Sequence, residues 1–478
     1  MRWTIAQVAG ALDSRPGAGL DPLARVAGVS IDSRAIRPGE LFFAVHGPRH
    51  DGHTFVADVL AGGALAAVVA QGKVAQIPED VRALCIVVAD TFVALKLLGR
   101  KVREAWSGKV AGITGSVGKT TTKEILAVLL GTRLRVLKSE GNFNNEYGLP
   151  LTLFKLDETH QAVVLEMGMS RRGELSRLAE IALPDVGVVT RVSPAHLEFF
   201  SSVDEIALAK RELIEGLNGR ESTAVLNADD PRVAAFGAFA PGRVLTYGIE
   251  KPAFFTAEAI EDRGALGSAF DYVSPEGRVR LELALPGRHV IANALASLAA
   301  ASVWGVGAAE AQAVMRTMRA PSMRGELLRF SNGAALINDS YNSSPAALHA
   351  MTELLAATPG FQRRILAAGE MRELGATSGE LHREAGAIAA KSGKIDWIIS
   401  VAGDASQIIE GAVAAGFSRA HTKSFSTSEE AGAFVQQFFQ RGDLLLVKGS
   451  RGVKMEKIVE ALIAAHAPTE APREEVRH

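Results

Sequence analysis

Residues 111–122 read AGITGSVGKTTT, a glycine-rich turn between two apolar patterns. KVAGIT (109–114) has the make-up of a buried strand, and KEILAVLL (123–130) that of a helix. Gly115 and Gly118 let the backbone turn tightly and aim N–H groups at phosphate oxygens, and the helix N-terminus adds its positive dipole end. In the loop Gly115, Ser116, Val117, Gly118, Lys119, Thr120 and Thr121, the Lys119 ammonium can reach the β- and γ-phosphates of ATP. The Thr120 hydroxyl is placed for Mg²⁺. The commoner G-x-x-x-x-G-K-[ST] spacing has glycine where this chain has Ile113, so the loop is the T-G-x-x-G-K-T variant. The competing reading is a strand-to-helix turn that binds nothing.

On both sides of this loop, strand-like runs alternate with helical patterns, which predicts an α/β fold of parallel sheets with crossover helices. Three regions separate. Residues 1–105 hold the short strands ELFFAV, AAVVA and LCIVVA; residues 106–318 hold the phosphate loop; and residues 319–478 restart a strand–helix series after the linker-like MRAPSMRGE. A charged, proline-containing tail from about 467 is expected to be disordered. The apolar stretch 292–309 is interrupted by polar residues and glycines, and reads as a buried Ala-rich helix rather than a membrane span.

Composition narrows the function classes. The chain has 478 residues, enough for about three domains. Its 52 Lys+Arg nearly cancel 53 Asp+Glu, which excludes a strongly basic nucleic-acid binder. Cys85 is the one cysteine, so no internal disulfide forms, consistent with a cytoplasmic protein. MRWTIAQVAGALDS at the start lacks the pattern of a signal peptide.

Three further residues suggest metal chemistry. Glu166 ends the apolar strand in QAVVLEMGM and offers a hard oxygen ligand to Mg²⁺. In SSVDEIALAKRELIEGL (201–217), Ser202 and Glu205 form a capping box. On a helical wheel Lys210 falls about 40° from Ile206 on the apolar face, while Arg211, Glu212 and Glu215 point away. Lys210 is then either a snorkelling side chain or a buried amine whose lowered pKa lets it capture CO₂ as a carbamate and ligate a metal. His196 follows the strand-like DVGVVTRV, where open α/β sheets bind ligands; it reads as a metal ligand or as a surface or capping histidine.

Together these residues resemble the Mur ligase family of ATP-dependent peptide synthetases, along essentially the whole chain. TGSVGKTTTKE is similar to the family's phosphate loop, and GNFNNEYGLP (141–150), with Asn144 and Asn145, to its Asn-rich segment beside ATP. EMGM, PAHLEFFSS and AKRELI resemble its metal-site series. The resemblance implies that Thr120 and Glu166 hold one Mg²⁺, and His196 and a carbamylated Lys210 a second. PGRHVIANALA (286–296) places Asn293 at the adenine, although His289-Val290 stands where the family often has His-Asn. Arg324 in SMRGE is similar to the arginine that reaches the nucleotide phosphates from the third domain.

IDSRAIRPGELFFAVHGPRHDGHTF (31–55) resembles the uridine-nucleotide segment, with Asp32, Ser33, Arg34, Asp51 and His53 as substrate candidates; Asp32-Ser33 is also ordinary turn chemistry. INDSYNSSPAAL (337–348), AAGEMRELGATSGELH (367–382) and LLVKGSRGVKMEKIV (445–459) resemble the member that adds D-alanyl-D-alanine to UDP-N-acetylmuramoyl-tripeptide, with Glu370 in place of its aspartate. Asp339, Tyr341 and Asn342 would then shape the amine site. The resemblance implies three α/β domains: an N-terminal UDP-substrate domain, a central phosphate-loop ATPase domain and a Rossmann-like C-terminal domain. It also implies an acyl-phosphate ligase of peptidoglycan precursor synthesis, working in the cytoplasm as a monomer. A different amino-acid-adding member, or a phosphate-loop nucleotide switch that is not a ligase, is the alternative.

Overall fold

The computed structural model describes residues 3–47, 50–194 and 199–469. The first sheet contains β1 (Val29–Ser30), β2 (Leu41–Phe43), β3 (Ala66–Ala70) and β4 (Cys85–Val88), all parallel and in sequence order. Cys85 faces its core, where burial pushes the thiol up to about 11. The helix Thr91–Ala105, capped by Asp90, leads from this sheet to the next.

The second sheet has nine strands: β5 (Lys109–Thr114), β6 (Val136–Lys138), β7 (Ala162–Glu166), β8 (Val186–Val189), β9 (Thr223–Asn227), β10 (Arg243–Gly248), β11 (Phe255–Asp262), β12 (Ser268–Ser274) and β13 (Gly277–Leu283). Their order is β13-β12-β11-β10-β9-β8-β5-β7-β6. The chain runs from β5 to the β6 edge, back to β7, then across β5 to β8. The phosphate loop therefore sits where strand order reverses, the place where open parallel sheets bind ligands. The expectation of parallel sheets holds from β6 to β11, but β11, β12 and β13 are antiparallel meanders. The residues between them, with Gly264 at a positive φ in the first turn and Pro275-Glu276 in the second, make turns too short for a crossover helix.

The Ala-rich stretch is two helices rather than one. Arg288–Ser302 ends before Gly305, which has φ +76°, and Ala308–Met315 follows. The first lies against the phosphate-loop helix Lys119–Leu130; small Ala294, Ala296, Ala300 and Ala301 permit close approach, and Ser297 Oγ donates to Thr122 O at 3.1 Å.

The third sheet contains β14 (Glu326–Arg329), β15 (Ala335–Asp339), β16 (Arg363–Gly369), β17 (Trp397–Val401), β18 (Thr422–Phe425) and β19 (Asp443–Lys448), ordered β14-β15-β19-β16-β17-β18. Only the β14 edge is antiparallel. The tail does not become irregular at 467: Ser331 N donates to Ala467 O, Thr469 N donates to Arg329 O at 2.8 Å, and Pro468 bridges Phe330. Residues beyond Thr469 lie outside the described ones.

The β11–β12 turn reaches into the third unit. Ala265 is buried in its apolar core with Leu348, Met351 and Leu354, and Ala265 N donates to Thr358 Oγ1 at 2.9 Å. No helix among the described residues is long and apolar enough to cross a membrane.

Candidate active site

The phosphate loop closes on itself. Gly115 has φ +154° and Gly118 φ +85°; a Cβ at the first would overlap the Thr190 hydroxyl, and at the second the Asn293 amide. Glycine is therefore required at both for conformation and for space. Thr190, just past β8, donates through Oγ1 to Val117 O at 2.6 Å; Ser116 Oγ donates to Ser193 O at 2.9 Å and accepts from Ser193 N. Thr190 is a loop-shaping residue that motif reading missed, because its partner lies 73 positions upstream. Lys119 Nζ folds back onto Gly115 O at 2.7 Å.

Glu166 ends β7 beside this loop and is only 4% exposed. It accepts from Thr120 Oγ1 at 2.7 Å and from Asn144 Nδ2 at 3.0 Å, while its own N–H donates to Ser139 Oγ. Burial pushes its carboxyl up, but the charges of Lys119, Lys123 and Arg324 outweigh that and hold it below the usual carboxylate range. The reverse balance applies to Lys119: burial lowers it and Arg324 adds to the effect, against the pull of Glu166. An anionic carboxylate beside a hydroxyl is an oxygen donor set suited to Mg²⁺. Asn145 is committed elsewhere: its Oδ1 accepts from Tyr147 N and Gly148 N, capping the helix Gly148–Leu153.

Lys210 lies in the helix Val203–Glu215 and is 2% exposed, so it does not snorkel. Burial, reinforced by the Lys119 charge, pushes its amine well below the ordinary lysine value. Two details of this helix differ from the wheel. Ser202 Oγ accepts from Glu205 N, but the Glu205 carboxylate reaches back to Ser201 N rather than to Ser202. Glu212 is buried, not solvent-facing: its carboxylate accepts from Gly173 N at 2.8 Å and from Ser176 N at 3.2 Å, capping the neighbouring helix Glu174–Ala182. His196 lies outside the described residues. Among the described residues no group of three or more His, Cys, Asp or Glu side chains is gathered as a metal site.

The opposite wall comes from the third sheet. Arg324 sits in a turn, its N–H donating to Pro321 O, and its guanidinium carbon lies 4.1 Å from the centre of the Tyr341 ring. Asp339 ends β15, and Lys448 ends β19. Lys448 Nζ, 3% exposed on its side chain, donates to Asp339 Oδ2 at 2.5 Å and to Asn342 O at 2.8 Å. Lys448 is a second missed residue, joined to Asp339 only by the pairing of β15 and β19.

These walls enclose one cleft of about 1670 Å³, lined by Ser116–Thr121, Asn144, Asn145, Glu166, Asn293, Arg324, Asp339, Tyr341 and Asn342. Lys210 does not line it, and neither do the N-terminal candidates. Asp32 is paired with the exposed Arg34, while Ser33 lies between them. His53 is buried with both ring nitrogens engaged, Nδ1 on Asp51 Oδ1 at 2.6 Å and Nε2 accepting from Ala70 N at 3.0 Å; Asp51 also pairs with Lys73. The Asp51–His53 pair thus ties the turn to β3. The first unit reaches the cleft through Phe92, whose ring stacks on Tyr147 at 4.4 Å.

Comparison with known proteins places this geometry. The family description "Mur ligase family, catalytic domain" matches residues 25–96, "Mur ligase middle domain" residues 113–301, and "Mur ligase, glutamate ligase domain" residues 323–451. The chain is 33% identical over 437 residues to the UDP-N-acetylmuramoyl-tripeptide–D-alanyl-D-alanine ligase of Bacillus subtilis (strain 168), covering 91% of this chain and 93% of that one. Against the ligase of the same name from Escherichia coli (strain K12), identity is 34% over 436 residues, covering 91% and 93%. Among solved structures, MurF from Acinetobacter baumannii superposes with TM-score 0.87 at 29% identity, covering 97% of this chain and 99% of that one. A MurF ligase from Thermotoga maritima in complex with ADP gives TM-score 0.79 at 29% identity, covering 92% and 97%. By sequence, by fold and by the arrangement of its cleft, the chain belongs to the Mur ligase family.

Proposed function

We propose that this chain is the ATP-dependent ligase that joins D-alanyl-D-alanine to UDP-N-acetylmuramoyl-tripeptide in peptidoglycan precursor synthesis. The observation that carries the reading is the single cleft: a phosphate loop with Glu166 on one wall faces Arg324, Asp339, Tyr341 and Asn342 on the other. Relatives bearing that activity match along nine-tenths of their length.

An amide does not form from a carboxylate and an ammonium in water without activation. The tripeptide carboxylate attacks the γ-phosphorus of ATP, the bond to the bridging oxygen breaks, and ADP leaves. The neutral amine of D-alanyl-D-alanine then attacks the acyl phosphate carbon, phosphate departs, and the amine proton is lost to solvent or a base. Both steps concentrate negative charge, which Lys119 and Arg324 offset from opposite walls. Asn293, packed on Gly118, is the residue that would contact adenine. Closure of the domains around the substrates would exclude the water that hydrolyses the acyl phosphate.

Thr120 and Glu166 would hold one Mg²⁺, and His196 with a carbamylated Lys210 a second; bound ions would supply charge neutralisation at the phosphates. The burial of Lys210, which pushes its amine well below the ordinary lysine value, supports that reading, since only an unprotonated amine can add to CO₂. The functional division is 1–105 for the UDP substrate, 106–318 for ATP and 319–478 for the dipeptide. On this reading the protein works as a monomer in the cytoplasm.

The test is phosphate release from ATP with UDP-N-acetylmuramoyl-tripeptide, with and without D-alanyl-D-alanine. Release that needs both, with a heavier UDP product, is the expected result, and Lys119→Ala abolishes it. Release with a free amino acid in place of the dipeptide moves the chain to another family activity. Release indifferent to both substrates makes it a nucleotide switch.

A further inference from the structure

Tyr341 and Arg324 were assigned to different substrates, the amine and the nucleotide phosphates, yet they touch. The backbone fixes the pair first. Tyr341 N donates to Met323 O at 3.2 Å, and Gly325 N donates to Asn338 O at 2.9 Å, so the turn carrying Arg324 is pinned at both flanks to the end of β15. Met323 adopts φ +61°, an unfavourable left-handed conformation for a side-chain-bearing residue, held by these bonds.

The side chains complete the arrangement. The Arg324 guanidinium lies over the Tyr341 ring at 4.1 Å, within the range where a cation is drawn to an aromatic face. Arg451 also approaches this ring, at 5.8 Å, but is tethered by an ion pair to Glu456 at 2.8 Å. Arg324 therefore has the nearer claim on the ring. From that perch its charge is already felt by Lys119 and Glu166 across the cleft.

We propose that Tyr341 is a positioning residue whose ring face holds the Arg324 guanidinium aimed at the phosphate loop, so that its aromatic ring rather than its hydroxyl serves the reaction. An arginine free to rotate would have to be ordered at each turnover; one laid on a ring is ordered beforehand. The inference deepens the ligase reading and rests on it.

The test compares Tyr341→Phe, Tyr341→Leu and Arg324→Ala, alone and combined, by steady-state phosphate release with all three substrates. Thermal unfolding checks that each variant is folded. Wild-type turnover that ignores the dipeptide would sink the ligase reading itself. With that reading intact, Phe, which keeps the ring face, is expected to lose far less kcat than Leu. Leu, which fills similar space without a π-face, is expected to lower kcat about tenfold with KM for D-alanyl-D-alanine unchanged. In the Arg324→Ala background Leu adds less than about twofold. Three results overturn the proposal: Phe as damaging as Leu, Leu as active as Phe, or a loss confined to KM for the dipeptide.

Discussion

The Thr120 hydroxyl donates to Glu166 Oε2 across 2.7 Å, joining the first turn of the phosphate-loop helix to the end of the adjacent strand. The hydroxyl and the carboxylate proposed to share a Mg²⁺ ion thus lie within hydrogen-bond distance of each other.

Glu166→Gln keeps the size of this side chain, removes its charge and replaces one of its two acceptor oxygens with an N–H donor. Turnover is expected to fall about 100-fold or more, with a higher Mg²⁺ concentration needed for half-maximal rate. A Mg²⁺ titration of phosphate release measures both; an unchanged midpoint would remove Glu166 from the cation's surroundings.

Lys210→Ala is expected to cripple ligation while leaving the fold intact, because the lost amine is buried and its desolvation disfavours the charged form. Formate or a short carboxylate should restore part of the rate by supplying the missing anion. In the unaltered protein, ¹³C-bicarbonate should give a carbamate resonance that the variant lacks. Full activity of the variant without rescue would end the carbamate idea.

Lys448→Met leaves Asp339 without its buried cation. Removing one partner of such a pair costs about 3–5 kcal/mol, and Asn342 loses the bond to its carbonyl. Urea unfolding should register the loss, and residual activity should show a raised KM for the dipeptide. A variant as stable as the parent would mean that the pair is solvent-screened.

Asp51→Asn tests the first unit by pH. Burial raises the Asp51 carboxyl, but His53 and Lys73 outweigh it and hold the group well below its ordinary value of 3.8. A carboxyl depressed in the folded state stabilises the protein fully above the unfolded value, and loses that contribution as pH falls toward the folded one. The stability gap to the variant should stay level from neutral pH to about pH 5 and narrow below about pH 4. A gap that persists undiminished into acid would assign the effect to packing.

How much of this was readable beforehand depends on how local each constraint is. The phosphate loop was legible because Gly115 and Gly118 answer to backbone conformation within one turn. Helical periodicity put Lys210 on the apolar face but left snorkelling and burial both open; its packing in the fold decides for burial. Glu212 was misjudged by the same wheel, since a wheel knows its own helix and not the helix end at Gly173 that needs an acceptor. Lys448 and Thr190 carried no local signal; their partners Asp339 and Val117 are brought to them by strands pairing across many intervening residues. The antiparallel β11–β13 was hidden because short turns and crossover helices both separate apolar runs.

The hairpin turn at Ala265 has a mechanical consequence. A body fastened at one flank keeps its rotations and loses its translations. With Ala265 sunk among Leu348, Met351 and Leu354, the third unit is fastened to the central sheet beside the cleft, which Met351 also lines. A bulky substitution at Ala265 would press on Met351, and so would reshape the cleft from a position that does not itself line it.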